Sequence, residues 1–136
     1  MTETATATRT VTVERDLPHP PAKVWRALTE SHLIEDWLMK TDFRPVPGHV
    51  FEMTADWGTV RCEVIEVAPQ SALAYSWNAG DLASTVHWTL TETPTGTRLT
   101  MEQTGFRDDQ PMYYGGAKLG WPRFFDALET VLDGME

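Results

Sequence analysis

Only one cysteine, Cys62, stands among the 136 residues, so no intramolecular disulfide can form and the chain suits a reducing compartment. Basic side chains are scarce as well. Eleven Lys and Arg face 20 Asp and Glu, giving a formal net charge of −9 and an isoelectric point near 4.8. That field repels phosphate backbones and anionic headgroups, which argues against nucleic acid and membrane surfaces as partners. No apolar run approaches the ~18–20 residues that span a bilayer. Residues 1–8 are rich in Thr and Ala, include Glu3, and have neither the basic start nor the apolar stretch of a secretory signal. The expectation is a cytoplasmic protein of bacterial type, with residues 1–8 as a flexible tail and 9–136 as one domain.

Metal and redox signals are also missing. His19, His32, His49 and His87 fall on separate predicted elements, with no two at ligand spacing. There is no glycine-rich phosphate loop and no cysteine pair. No cofactor and no metal are expected. What the chain does have is tryptophan, six in all. Each indole buries about 150–250 Å², so several must meet in a core, a pocket wall or an interface.

Residues 9–17 alternate Val11, Val13 and Arg15 against Thr10, Thr12 and Glu14, a strand pattern stopped by Pro18, Pro20 and Pro21. Pro20 and Pro21 can open a helix, and Val24, Ala27 and Leu28 recur at helical spacing. Ser31 is the expected N-cap of a second short helix carrying Leu33, Ile34 and Trp37. The period then changes to two. Strands are expected over 42–44, 49–55, 59–67, 72–77, 83–91 and 98–104, separated by turn signals such as Pro47-Gly48 and Trp57-Gly58. Their short, regular spacing predicts an antiparallel meander. Asp108 and Asp109, before Gln110-Pro111, are read as capping a last helix. Tyr114, Ala117, Trp121, Phe125, Leu128 and Leu132 form its apolar stripe, with a kink or break expected near 118–122 because of Pro122.

Strand parity puts Phe51, Met53, Cys62, Val64, Tyr75, Trp77, Val86, Trp88, Leu90, Leu99, Met101 and Gln103 on one face. Glu52, Arg61, Glu63, Thr85, His87, Thr89, Arg98, Thr100 and Glu102 fall on the other. The last helix needs a partner, and the apolar sheet face is the one large enough. A bent sheet around a helix leaves space between them.

The run Val11-Thr12-Val13-Glu14-Arg15, the run from Pro21 through Val24-Trp25 to Leu28-Thr29, and Trp37-Leu38 carry a resemblance. So do Glu63-Val64-Ile65-Glu66-Val67-Ala68-Pro69, Leu73-Ala74-Tyr75-Ser76-Trp77, Gly96-Thr97-Arg98-Leu99-Thr100, Gly105-Phe106, and Gly120-Trp121 with Leu128. In this order they resemble activators of the heat-shock-protein-90 ATPase, C-terminal-domain type, over roughly residues 9–133. The resemblance implies the START-like or Bet v 1-like (SRPBCC) helix-grip fold: α+β, about six to seven curved antiparallel strands around a long C-terminal helix, two short helices after the first strand. It also implies a cavity that often holds lipids, polyketides or other apolar molecules. One departure is Pro47-Gly48-His49, where such proteins often carry two glycines after the proline.

Three functions are open on this reading. The first is binding of a small apolar or aromatic molecule (lipid-, polyketide- or phenolic-like) in a cavity lined by Phe51, Met53, Cys62, Tyr75, Trp77, Trp88, Met101, Gln103, Tyr114, Trp121 and Phe125. Trp57, Trp77, Trp88 and Trp121 are more often plain core than ligand platform, but four indoles facing one space is unusual. The second is a cyclase, dehydratase or hydrolase in the same cavity, for which Tyr75, Tyr114 and, after a bulge, Glu102 or His87 are the available acids and bases. No residue is assigned as catalytic. The third is an interaction or co-chaperone-like module, with a homodimer among the partners considered. Cys62 reads as a small buried hydrophobe, and Glu35-Asp36 as a solvated helix face.

Overall fold

The computed structural model describes residues 8–135. Alternating β-branched residues carry β1 (Thr8–Leu17), and the prolines after it open α1 (Pro21–Thr29), followed directly by α2 (Ser31–Trp37). Six strands come next: β2 (Lys40–Thr41), β3 (Val50–Ala55), β4 (Gly58–Ala68), β5 (Ala72–Ala79), β6 (Leu82–Thr93) and β7 (Gly96–Arg107). The chain then enters α3 (Pro111–Gly134). The seven strands form one antiparallel sheet in the order β1-β7-β6-β5-β4-β3-β2. From β2 to β7 the sheet is a meander, and β1 closes against the last strand. This is the α+β helix-grip architecture that the sequence implies. Of the residues read as a tail, Thr8 already pairs with Arg107 in β1, and residues 1–7 lie outside those described.

On the inner face all twelve residues that strand parity places there, from Phe51 to Gln103, are buried. Their neighbours Glu52, Arg61, Glu63, His87, Thr89, Arg98 and Glu102 are exposed, and Thr85 and Thr100 are half-buried. A bulge changes the pattern near the end of β7. The β1–β7 register steps past Gly105, whose φ of +102° suits glycine, and a Cβ there would lie 2.9 Å from the Ala83 carbonyl oxygen. The extra residue reverses the parity beyond it, so Gln103 and Phe106 both point inward and both are buried.

Four local expectations are corrected. No strand forms over 42–44, because side chains take the places of backbone partners there. Thr41 Oγ1 donates to the Glu52 carbonyl at 2.8 Å, and Asp42 Oδ1 accepts from the Glu52 N–H at 3.3 Å. Ser31 is the first residue of α2 instead of its N-cap, and its hydroxyl donates to the Phe43 carbonyl at 2.7 Å. Asp108 and Asp109 do not cap α3. They pair with Arg9 at 3.2 Å and Arg107 at 2.9 Å, respectively, and Gln110 holds the cap position without a side-chain bond to the helix.

The last helix is not broken either; α3 runs unbroken through Pro122. The carbonyl that proline orphans belongs to Lys118, an exposed residue where water can satisfy it. Arg15 also clamps the far side. Its guanidinium donates to Asp126 and Glu129, both at 2.6 Å, and to the Pro122 carbonyl at 3.2 Å. Beyond that point Trp121, Phe125, Leu128 and Leu132 are buried at helical spacing. No residue between 111 and 120 is buried to the same degree.

Candidate functional site

That imbalance along α3 creates the site. The second half of the helix fills the grip of the sheet with large side chains, while the first half brings Gly116, Ala117 and Gly120 to the same interface. A Cβ added at Gly116 would meet nothing within 4 Å. The space left over is a cavity of about 380 Å³ between the first half of α3 and the ends of β5, β6 and β7. Trp77, Ala79 and Leu82 form its sheet wall with Gln103 and Phe106. Tyr113, Trp121 and Phe124 close it from the helix, and the exposed Trp57 and Met112 stand at its mouth. Among the described residues, none on the lining carries a charge at neutral pH, and Tyr113 is the one titratable group.

The N-terminal end of α3 is fastened across the cavity to the β5–β6 turn. Tyr113 Oη accepts from the Asp81 N–H at 3.3 Å, and Gln110 Nε2 donates to the Asp81 carbonyl at 2.9 Å. Gly80, at φ +56°, allows this approach, since a Cβ there would sit 2.8 Å from Tyr113 Oη.

Behind the apolar wall runs a short polar chain. Trp121 Nε1 donates to Gln103 Oε1 at 2.7 Å, Gln103 Nε2 to Ser84 Oγ at 2.9 Å, and Ser84 Oγ to the Trp77 carbonyl at 2.6 Å. All three side chains are buried, so each bond replaces one that water would otherwise make. A second pair lies deeper, where Trp88 Nε1 donates to Tyr75 Oη at 3.0 Å. Burial pushes the Tyr75 hydroxyl pKa well up, against the smaller opposing effect of that hydrogen bond. Burial likewise pushes the Cys62 thiol up to about 12.

Of the residues read from the sequence as cavity lining, Trp77, Gln103 and Trp121 lie on this cavity. Phe51, Met53, Cys62, Tyr75, Trp88, Met101 and Phe125 lie in packed core beyond it. The reason is the plug supplied by α2 and the loop after it. Phe43 packs on Phe51 at 4.9 Å between ring centroids and Trp37 on Trp88 at 5.7 Å, so the space over β3–β6 at that end is filled. Trp88 sits behind Trp121, 5.6 Å away, and the other three indoles read as facing one space do line it. Tyr114 points elsewhere, against Phe106 and beneath Arg9 and Lys118, and its neighbour Tyr113 takes the cavity position. His87 and Glu102 stay on the outer face, opposite each other.

Sequence reasoning missed Phe106, Tyr113 and Phe124. The bulge at Gly105 was the signal for Phe106, and Gly116 and Gly120 were the signal for an open helix face. A larger depression of about 710 Å³ runs along the β2–β3 edge, but it is open and mixes Lys40 and Arg61 with Asp42 and Glu52. The aromatic cavity is the better candidate because it is apolar, partly enclosed and supplied with one buried polar group. Among the described residues no three His, Cys, Asp or Glu side chains gather as metal ligands, and no helix is long and apolar enough to cross a membrane.

Comparison with solved structures places this architecture among bacterial relatives. Protein MLL2253 from Mesorhizobium loti is 57% identical, with a TM-score of 0.92 over 94% of this chain and 99% of that one. Two more distant structures show the same fold. CalU16 from Micromonospora echinospora is 21% identical, with a TM-score of 0.79 over 92% of this chain and 76% of that one. DynU16, a protein of the dynemicin biosynthetic locus, is 24% identical with a TM-score of 0.82, and the match covers 91% of this chain but 47% of DynU16. No curated protein matches the sequence. The family described as Activator of Hsp90 ATPase homolog 1-like protein matches residues 18–133, and with nearly the whole helix-grip domain inside that span, the chain belongs to this family.

Proposed function

We propose that the protein binds a small, largely apolar molecule with ring character in the cavity between the sheet and the first half of α3. The observation that carries this reading is the lining itself: Trp57, Trp77, Phe106, Tyr113, Trp121 and Phe124 surround about 380 Å³ that the protein's own side chains leave empty. Ring walls of this kind favour flat, apolar guests, and apolar burial supplies most of the affinity. The family and its fold support the reading, and the chemistry of the guest comes from the lining. A catalytic use of the same cavity would have to work through Tyr113, the one titratable side chain on the wall.

Titration with fluorene, a neutral three-ring hydrocarbon, tests the proposal through intrinsic tryptophan fluorescence, because three of the six indoles line the cavity. A saturable, one-to-one change in emission is expected. Native mass spectrometry of the same mixture should show a single adduct that is lost on activation. Absence of both signals up to the solubility limit of fluorene would overturn the reading.

A further inference from the structure

The polar chain behind the cavity has a fixed direction. An indole Nε1–H can only donate, so the atom of Gln103 that faces Trp121 must be the amide oxygen. The amide nitrogen therefore faces Ser84, and the one hydroxyl proton of Ser84 goes to the Trp77 carbonyl. Flipping the amide would set two donors against each other at 2.7 Å. The orientation is locked by its partners.

Those bonds use one of the two amide hydrogens. The other has no protein partner among the described residues, although Gln103 is only 1% exposed and forms part of the cavity wall. A buried N–H without a partner is costly, and the cavity that Gln103 lines is the place where a guest would supply one. The short bond that Oε1 receives from Trp121 draws electron density toward the oxygen and strengthens the remaining N–H as a donor. No lining residue among those described is charged, so a carboxylate or ammonium entering the cavity would lose its water without gaining a counter-charge there. The volume sets a ceiling: at protein packing density the cavity holds a molecule of about twenty non-hydrogen atoms.

From this we infer that Gln103 determines specificity, selecting a neutral, flat ring molecule that brings one acceptor oxygen, such as a ketone, to the free amide N–H. The inference rests on the cavity-binding reading and adds the polar half of the recognition.

Three probes with one ring body separate the two claims: fluorene, fluorenone and fluorene carboxylate. On the wild-type protein, fluorenone is expected to bind about tenfold more tightly than fluorene, the ratio one net hydrogen bond supplies. The carboxylate is expected to bind at least about tenfold more weakly than fluorene, since its charge finds no partner. Equal affinities for fluorene and fluorenone would overturn the role of Gln103 while leaving the cavity reading intact. Binding by none of the three would overturn both. In Gln103→Met, which keeps the length and removes the donor, the preference for fluorenone should fall to about onefold. Retention of the tenfold preference in that variant would also refute the assignment. The wild-type comparison decides the matter if the variant fails to fold.

Discussion

Gly116→Leu tests the cavity from the helix side, and the structure sets both the sign and the size of the effect. Gly116 is an interior residue of α3 with ordinary helical geometry, and a Cβ there enters open space. Replacing glycine by leucine in a helix interior gains about 0.8 kcal/mol of propensity. Partial burial of the new side chain over Met112 and Tyr113, one turn earlier on the cavity side, adds about 1 kcal/mol, roughly half the value for full burial. A net gain of about 2 kcal/mol in a domain of this size raises Tm by about 5–8 °C. The same side chain takes roughly a quarter of the 380 Å³ and should weaken fluorene binding at least about tenfold. Gly115→Leu is the control: it lies one position round the helix and off the cavity wall. It should gain the propensity term and leave binding unchanged. The assays are thermal unfolding by circular dichroism and the tryptophan titration. A rise in Tm with undiminished fluorene binding would show that the ligand sits elsewhere. A fall in Tm would show that the space over Gly116 is not open.

Three further outcomes are expected. Cys62 should resist alkylation at pH 8 until the protein is unfolded, because the thiol is buried and its pKa of about 12 leaves about one thiolate in ten thousand. A pKa raised on folding favours the native state fully below the unfolded value of 9.0 and loses that contribution as pH climbs toward 12. Tyr75 is shifted in the same direction. Stability should therefore fall steeply above about pH 9, and less steeply in Cys62→Ala; parallel urea-unfolding curves for the two proteins from pH 8 to 11 would count against this cause. Gly80→Ala should cost about 1–2 kcal/mol, since alanine is disfavoured at φ +56° and its methyl group displaces the Tyr113 hydroxyl. Hydrogen exchange should then rise in residues 111–120 of α3 and not in 121–134; uniform exchange along the helix would refute the local fastening.

The fold was legible because its signals are local and repeated. Alternation placed Phe51, Cys62, Trp77, Trp88 and Met101 on one face, and one wrong phase among them would have been visible against the rest. The strand at 42–44 and the caps at Ser31 and Asp108 were misread for a shared reason. Thr41, Asp42, Ser31 and Asp108 carry short polar side chains whose partners lie ten or more residues away, so local rules cannot name them, and Asp109 turns back to Arg107 instead of forward to the helix. The site was only partly legible. Facing the helix is a property of a strand residue, but facing an empty part of the interface depends on what fills the rest. Phe43 and Trp37 come from a loop and a short helix whose docking the pattern does not encode, and they convert most of the expected lining into core.

The features that make α3 a poor helix also make the cavity. Gly115, Gly116 and Gly120 cost about 1 kcal/mol each relative to alanine, and Pro122 about 3 kcal/mol. Burial of Trp121, Phe125, Leu128 and Leu132, at about 1.5–3 kcal/mol for a side chain of this kind, offsets that cost, and Arg15 ties the helix to β1 at the proline and along the two turns after it. A helix optimised for stability would replace these glycines and, at Gly116 and Gly120, close the space. The chain instead concentrates its buried anchors after residue 120, holds the start of the helix by two hydrogen bonds to Asp81 and the half-buried Tyr113, Tyr114 and Ala117, and lines the gap with rings and one locked amide. Local rules are broken here and nowhere else along the helix, and a site that must admit a guest is the physical reason for breaking them.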